Sequence, residues 1–523
     1  MRLSNFTFLL WASLCLLCSG IGCSNSSTYE PLWNPPQQTD PEEPEEPDDV
    51  SFVVYNHLAD SPDVNVSTVW EVTLSQNGVE KECMVFQSTC PVYDPSKGMI
   101  GSDRTALELV AGRTISWANF SFDGEVTVTA RILDPSRVPM SSSVAVYPSR
   151  KHVSPSLSGQ SVTFTLTEPG QYSVEVGAEG YRNGLMIFAN PLEKDAPKSD
   201  DAAYRRVENA TAAALPADRS GIYFARGVHD IGKYIVPAHV KNIYIPGDAY
   251  VYGTLVVENN PGVRIFGRGT LSAARLPYRA SHSIEATGDS NGMVVEGITI
   301  ADFTHFSVRL ITTNNRVEWV KTIGAWTYNC DGISVFHYST VKNCFIWAND
   351  DSIKVYRDGI TFEDIVCWQL TNGNIIQMAW NDADAKDVTV RRVDILHADW
   401  NNNQFNRGVL GFVGNRYEYE NNDNYLENYL IEDVVTETPV PVVLRVSPQA
   451  GYVSTVDGLT LRNWNVRQRD NGYKNYLYCS SPDHPFRNIV FDNFVFNGTK
   501  LTAQNWEQLM NMQTQFIETP TFK

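Results

Sequence analysis

The chain has 523 residues, 42% of them hydrophobic, and a formal charge of −19, which leaves room for a leader and two domains with sizeable cores. No basic footprint marks a nucleic-acid partner. No Cys/His spacing suggests a structural zinc, and neither a phosphate-binding glycine loop nor a dinucleotide fingerprint occurs, so no metal or cofactor is expected.

Residues 6–21 are an apolar run behind Arg2, short for a membrane span and typical of a signal peptide. The run ends Ser19-Gly20-Ile21-Gly22-Cys23, which resembles a bacterial lipobox with Cys23 as the lipidated residue. A Leu is commoner where Gly20 stands, and plain cleavage with secretion is the alternative. Residues 24–50 are rich in Ser, Pro and acids and supply much of the formal charge; such a stretch stays extended, as a tether does. Together they predict a protein at the bacterial cell surface or outer membrane, touching lipid only through its anchor. The alternative location is periplasmic or extracellular.

Residues 51–195 hold cleanly alternating segments, among them Ser161-Val-Thr-Phe-Thr-Leu166 and Gln171-Tyr-Ser-Val-Glu-Val176, split by Pro-Gly and Ser-Gly turns. This predicts an antiparallel β-sandwich. Capping the end of the following domain is favoured over sugar binding as its role. Cys83 and Cys90 are close enough for one disulfide in an oxidising compartment. A polar stretch with a short Ala run, 196–219, would lead into the second domain.

Within residues 196–523 a two-strand unit with a polar corner keeps returning. Examples are Met293-Val-Val-Glu-Gly-Ile-Thr-Ile300, Ile360-Thr-Phe-Glu-Asp-Ile-Val-Cys367 and Leu459-Thr-Leu-Arg-Asn-Trp-Asn-Val466. The period is roughly 20–30 residues, the regime of solenoids, and helical spacing is absent. A right-handed parallel β-helix is predicted; the Leu/Asn consensus of a leucine-rich repeat is missing. Cys330, Cys344, Cys367 and Cys479 fall in its strands as small buried apolar residues.

Three carboxylates stand one repeat apart, in Asn329-Cys330-Asp331-Gly332 and Asn349-Asp350-Asp351-Ser352-Ile353-Lys354. A lone Asp-Asp reads as a surface turn. On stacked coils the three acids converge, and grouped carboxylates are what glycoside hydrolysis uses. Strand parity sends Ile353 and Val355 inward and Ser352, Lys354 and Tyr356 outward. Asp350 and Asp351 reach one cleft only if the backbone bends at their corner, and Gly332 would permit the turn after Asp331. Lys354 would then bind a sugar hydroxyl or tune Asp350, with a plain solvated lysine as the alternative, while Gln377 and Trp380 on the next coil suit hydroxyls and a pyranose face. Trp347 and Trp368 read as packing, and His305 and His397 as lone structural histidines.

With these motifs the chain resembles glycoside hydrolase family 49, the dextranase and isopullulanase family. The resemblance also rests on Val295-Glu-Gly-Ile-Thr-Ile-Ala-Asp-Phe-Thr-His-Phe-Ser-Val308 and Ile375-Ile-Gln-Met-Ala-Trp380. It implies a sandwich before the β-helix and an inverting, endo-acting hydrolase of α-glucans, usually cutting α-1,6 links in dextran. It also implies Asp350 as proton donor, with Asp331 and Asp351 activating water. Flanked by two carboxylates, Asp350 is expected to keep its proton longest. The partner is a polysaccharide and the protein is expected to act as a monomer. A polygalacturonase would add Gly-His-Gly and Arg-x-Lys after the acid pair, which are absent here. A non-catalytic glycan-binding lipoprotein would have shed one of the acids.

Overall fold

Alternating apolar residues in the first domain fold into two packed sheets. The computed structural model describes residues 50–91 and 111–523, except 179, 212–214, 216–217, 381–383, 414, 417–424, 448–451 and 480. The leader, Cys23 and all but the last residue of the tether lie outside the described residues. One sheet is antiparallel throughout, in the order Val79–Cys83, Trp70–Gln76, Val126–Ile132, Ser161–Leu166, Ser156–Ser158. Trp70, Val72 and Leu74 alternate into its core.

The other sheet differs from the expected pattern. Its central strands Thr114–Phe122 and Leu185–Pro191 run parallel, and both are buried on two faces. Ala118, Phe120 and Phe122 fill the sandwich core, whereas Ile115 and Trp117 join the core of the second domain. A sheet apolar on both faces needs a cover on each. The second cover is the flank of the solenoid rather than its end: His57 N donates to Asp248 Oδ1 (2.9 Å), and Ser149 N to Glu437 Oε1 (2.8 Å), many coils later. Sandwich and solenoid thus form one compact unit from Asp49 to Lys523. Cys83 and Cys90 are both buried free thiols, so the expected bridge is not made. The Cys83 thiol lies instead 3.8 Å from the carbonyls of Met84 and Asn119.

The repeats stack as a parallel β-helix that starts at Tyr204–Val207, within the stretch read as a connector, and ends at Thr521–Phe522. One interior ladder runs Ile284, Val308, Ile333, Ile353, Ile376, Leu410, Leu444, all fully buried. The next residue of each strand faces outward, giving Glu285, Arg309, Ser334, Lys354, Gln377, Gly411 and Arg445 as an external row. The polar corner of the repeat has a backbone cause. Asn343, Asp364, Arg392, Asp433, Asn463 and Asn493 all adopt positive φ, a conformation that Asn and Asp tolerate best among residues other than Gly. Their side chains also link coils: Asn463 donates to Asp433 Oδ1 (3.0 Å) and Asn493 to Asn463 Oδ1 (2.9 Å). Cys330, Cys344, Cys367 and Cys479 are buried, as are Trp347 and Trp368.

Candidate active site

Strand Thr340–Ala348 stops short of the acids, and the next strand, Ile353–Lys354, resumes after them. Between the two strands lies the bend that lets both Asp350 and Asp351 reach one cleft. Asn349 holds it. Its Oδ1 accepts from Thr371 N (3.0 Å) and Asn372 N (3.2 Å), and its Nδ2 donates to Trp326 O (3.2 Å). Gly332 serves differently from expectation. The positive φ at this corner belongs to Asn329, whereas a Cβ on Gly332 would lie 2.3 Å from Ser352 O. Gly332 is there for close coil stacking. On the following coil Gly373 has φ +81°, and a Cβ there would meet the Asp350–Asp351 peptide at 2.2–2.3 Å.

One oxygen from each of Asp331, Asp350 and Asp351 falls within 4.8 Å of the others. That spacing could hold a cation, and Lys354 provides the positive charge. Its Nζ is 2.6 Å from Asp331 Oδ2 and 2.7 Å from Asp351 Oδ2, with all three side chains buried. Lys354 therefore ties the first acid to the third, and its charge also pulls the Asp350 carboxyl down. Asp351 Oδ1 accepts from Asn374 N (3.0 Å). Asp350 Oδ1 accepts from Asp351 N (3.0 Å), and its Oδ2 from Asn329 N (3.1 Å) and Asn372 Nδ2 (2.8 Å). Asp331 Oδ1 alone among these six oxygens has no hydrogen-bond partner.

Burial pushes the Asp350 carboxyl up to about 6; the Asp351 charge adds to this and Lys354 opposes it. Burial also lifts Asp331 well above the usual range, against the pull of Lys354 and with help from Asp350 and Asp351. Burial thus raises both Asp331 and Asp350, and the retained proton belongs to the group of coupled acids. Pairing separates their roles. Both are buried, but Asp331 faces an ammonium, whereas Asp350 is held by the neutral donors of Asn329, Asp351 and Asn372. Burial alone would lower Lys354, but Asp331 and Asp351 outweigh it and hold the ammonium well above its ordinary range. One ammonium among three carboxyls favours keeping a proton in the group.

Gln377 stands beside Lys354 in the outer row but is fully buried and hydrogen-bonded to Asn374 (2.5 Å). It supports Asn374, and through its backbone N–H Asp351. Trp380 is 36% exposed, with its ring 6.1 Å from that of Phe405. His397 is structural, paired with Glu175 at 2.8 Å across the sandwich interface. His305 is not a lone residue: its ring stacks on His282 at 3.9 Å, with Phe306 edge-on to both. Burial pushes His282 down to about 3 and His305 to about 4, so the stack is neutral. Phe306 in turn lies 5.1 Å from Lys354 Nζ. Tyr278 OH donates to Asn329 Oδ1 (3.2 Å). Asn372, Asn374, Tyr278 and His282 carried no sequence signal. They come from loops whose placement depends on coil stacking.

No family model matches the chain. A dextranase of Arthrobacter globiformis is 22% identical over 78% of this chain and 75% of its own length. An isopullulanase of Aspergillus niger is 22% identical over 71% and 74%. The chain resembles the dextranases and isopullulanase of family 49. Among solved structures, Dex49A from Penicillium minioluteum superposes with a TM-score of 0.72 at 17% identity, covering 88% of this chain and 95% of its own. The family 49 likeness therefore spans sandwich and β-helix alike, and the fold is shared.

Proposed function

We propose that this protein is an endo-acting glycoside hydrolase of an α-glucan, cutting α-1,6 links of dextran with inversion. The observation that carries the reading is the buried trio itself, with Asp350 raised by burial and free of any ion pair and Asp331 and Asp351 paired to one ammonium. Relatives bearing the names dextranase and isopullulanase support the α-glucan. Incubation with dextran, pullulan and polygalacturonate, followed by product analysis, tests it: a ladder of oligosaccharides from dextran supports the reading, and products from polygalacturonate alone refute it.

In this mechanism Asp350 protonates the glycosidic oxygen. Asp331 and Asp351, tied together by Lys354, activate the attacking water on the other side of the bond, and Asp331 Oδ1 is the one oxygen of the group left unengaged. Inverting carboxyl groups stand about 6.5–9.5 Å apart and retaining ones about 5–5.5 Å; the 4.8 Å within which one oxygen of each acid falls here is a spacing of single oxygens, not of carboxyl groups. The pairing to Lys354 argues for inversion, because a carboxylate pinned by an ammonium orients water more readily than it advances on carbon.

The acid must be protonated to act, and Asp350 is held at about 6. Turnover on dextran is expected to fall as pH rises through about 6. On a substrate with a fluoride leaving group that basic limb is expected to vanish.

We also propose that residues 51–195 and 196–523 are the two working domains, and that Cys23 is the lipid-bearing N-terminus of the mature protein. Acyl chains would then attach it without a spanning helix. Cys23→Ala is expected to move the protein from the membrane fraction to the soluble fraction. Unchanged membrane attachment would rule the anchor out.

A further inference from the structure

We infer that Arg113, carried by the sandwich, is a positioning residue for Asp350, an inference that rests on the acid role proposed above. Arg113 immediately precedes strand Thr114–Phe122 and inserts into the flank of the β-helix at the catalytic coils. Its side chain is 9% exposed and its Nη1 donates to Asp399 Oδ2 (2.8 Å). Nε and Nη2 have no hydrogen-bond partner. The guanidinium is enclosed instead by four rings, Tyr181, Trp326, Trp347 and Trp368, at 5.7–6.0 Å. A planar, weakly hydrated cation suits such a box, where its N–H groups face π surfaces.

The three tryptophans come from consecutive coils and touch one another, Trp326 to Trp347 at 5.3 Å and Trp347 to Trp368 at 4.9 Å. From this box a short path leads to the acid. Trp326 O receives Asn349 Nδ2, Asn349 Oδ1 receives Asn372 N, and Asn372 Nδ2 donates to Asp350 Oδ2 at 2.8 Å. A second sandwich residue bears on the same tryptophan, since Trp326 Nε1 donates to Ser88 Oγ (2.8 Å). Asp331 and Asp351 are held differently, by Lys354 and by Asn374. Loss of the guanidinium would therefore loosen the side of the corner that aims Asp350, while Lys354 and Asn374 keep their hold on Asp331 and Asp351. The sandwich acquires a role in the chemistry, although none of its described residues is among the acids.

The test compares Arg113→Met, Arg113→Lys and Asp350→Asn with the wild type in the full chain, on dextran and on α-isomaltosyl fluoride, with thermal melting alongside. A misplacement near 1 Å costs about 100-fold, so Arg113→Met is expected to lower kcat on dextran by about 10–100-fold with KM little changed. On the fluoride, which needs no protonation, it is expected to stay within about threefold of the wild type. Arg113→Lys keeps the cation without the planar fork and is expected to fall between the two; it is the variant to read if Arg113→Met does not fold. Equal losses on both substrates, or no loss on dextran, overturn the inference while a rescued Asp350→Asn leaves the acid assignment standing. An Asp350→Asn enzyme that the fluoride does not rescue overturns the acid assignment, and this inference with it.

Discussion

Asp350→Asn is expected to lower turnover on dextran by about 10²–10⁴-fold, leave KM nearly unchanged, and recover on α-isomaltosyl fluoride. The amide cannot supply the proton that the glycosidic oxygen needs as it leaves, and a fluoride leaving group has no such need. Binding is little affected because the proton matters only in the transition state. Asp331→Asn and Asp351→Asn are expected to lose as much on dextran and to stay slow on the fluoride, since water activation is required with either leaving group. Recovery of Asp351→Asn in place of Asp350→Asn would exchange the two roles. Full activity in all three would move the active site elsewhere.

Lys354→Met is the second large effect. The ammonium lies within 2.7 Å of both Asp331 and Asp351, and all three side chains are buried. Removing one partner of a buried ion pair typically costs about 3–5 kcal/mol, here because two carboxylates are left facing each other in a dry site. A lysine held above its ordinary pKa contributes stability that is complete below its unfolded value of about 10.5 and lost only as pH rises through the folded one. The whole contribution is therefore present at pH 7. In the variant, lowering the pH protonates one of the freed carboxyls and relieves the repulsion. The gap in melting temperature between wild type and Lys354→Met is expected to be large at pH 7 and to narrow toward pH 4. A gap that is absent at pH 7, or that widens on acidification, contradicts the pairing.

The parallel β-helix was legible because two signals coincide in each repeat. Apolar residues at every second position build the Ile284-to-Leu444 ladder, and Asn or Asp sits where the corner needs positive φ. The acids were legible because Asp331 and the Asp350–Asp351 pair lie one coil apart. Parity also placed Lys354 outward, but parity fixes a face and not a partner. That Lys354 meets Asp331 and Asp351 depends on which loop atoms the previous coil brings within 3 Å. Asn372 and Asn374 were hidden for the same reason, since a turn asparagine looks the same whether or not it holds an acid. The sandwich misled in a further way. Thr114–Phe122 alternates between two cores, and a sequence of this kind does not say that its second cover is a solenoid flank rather than a solenoid end. Cys83 and Cys90 were close in the chain, but their side chains enter different cores.

The most direct measurement follows the first products of dextran cleavage by ¹H NMR, for the wild type and for a variant with Asp331, Asp350 and Asp351 all changed to Asn. The account predicts new reducing ends that appear first as the β-anomer with the wild type, and none with the triple variant. Reducing ends that appear first as the α-anomer would contradict inversion, and reducing ends released at the wild-type rate by the triple variant would contradict the site.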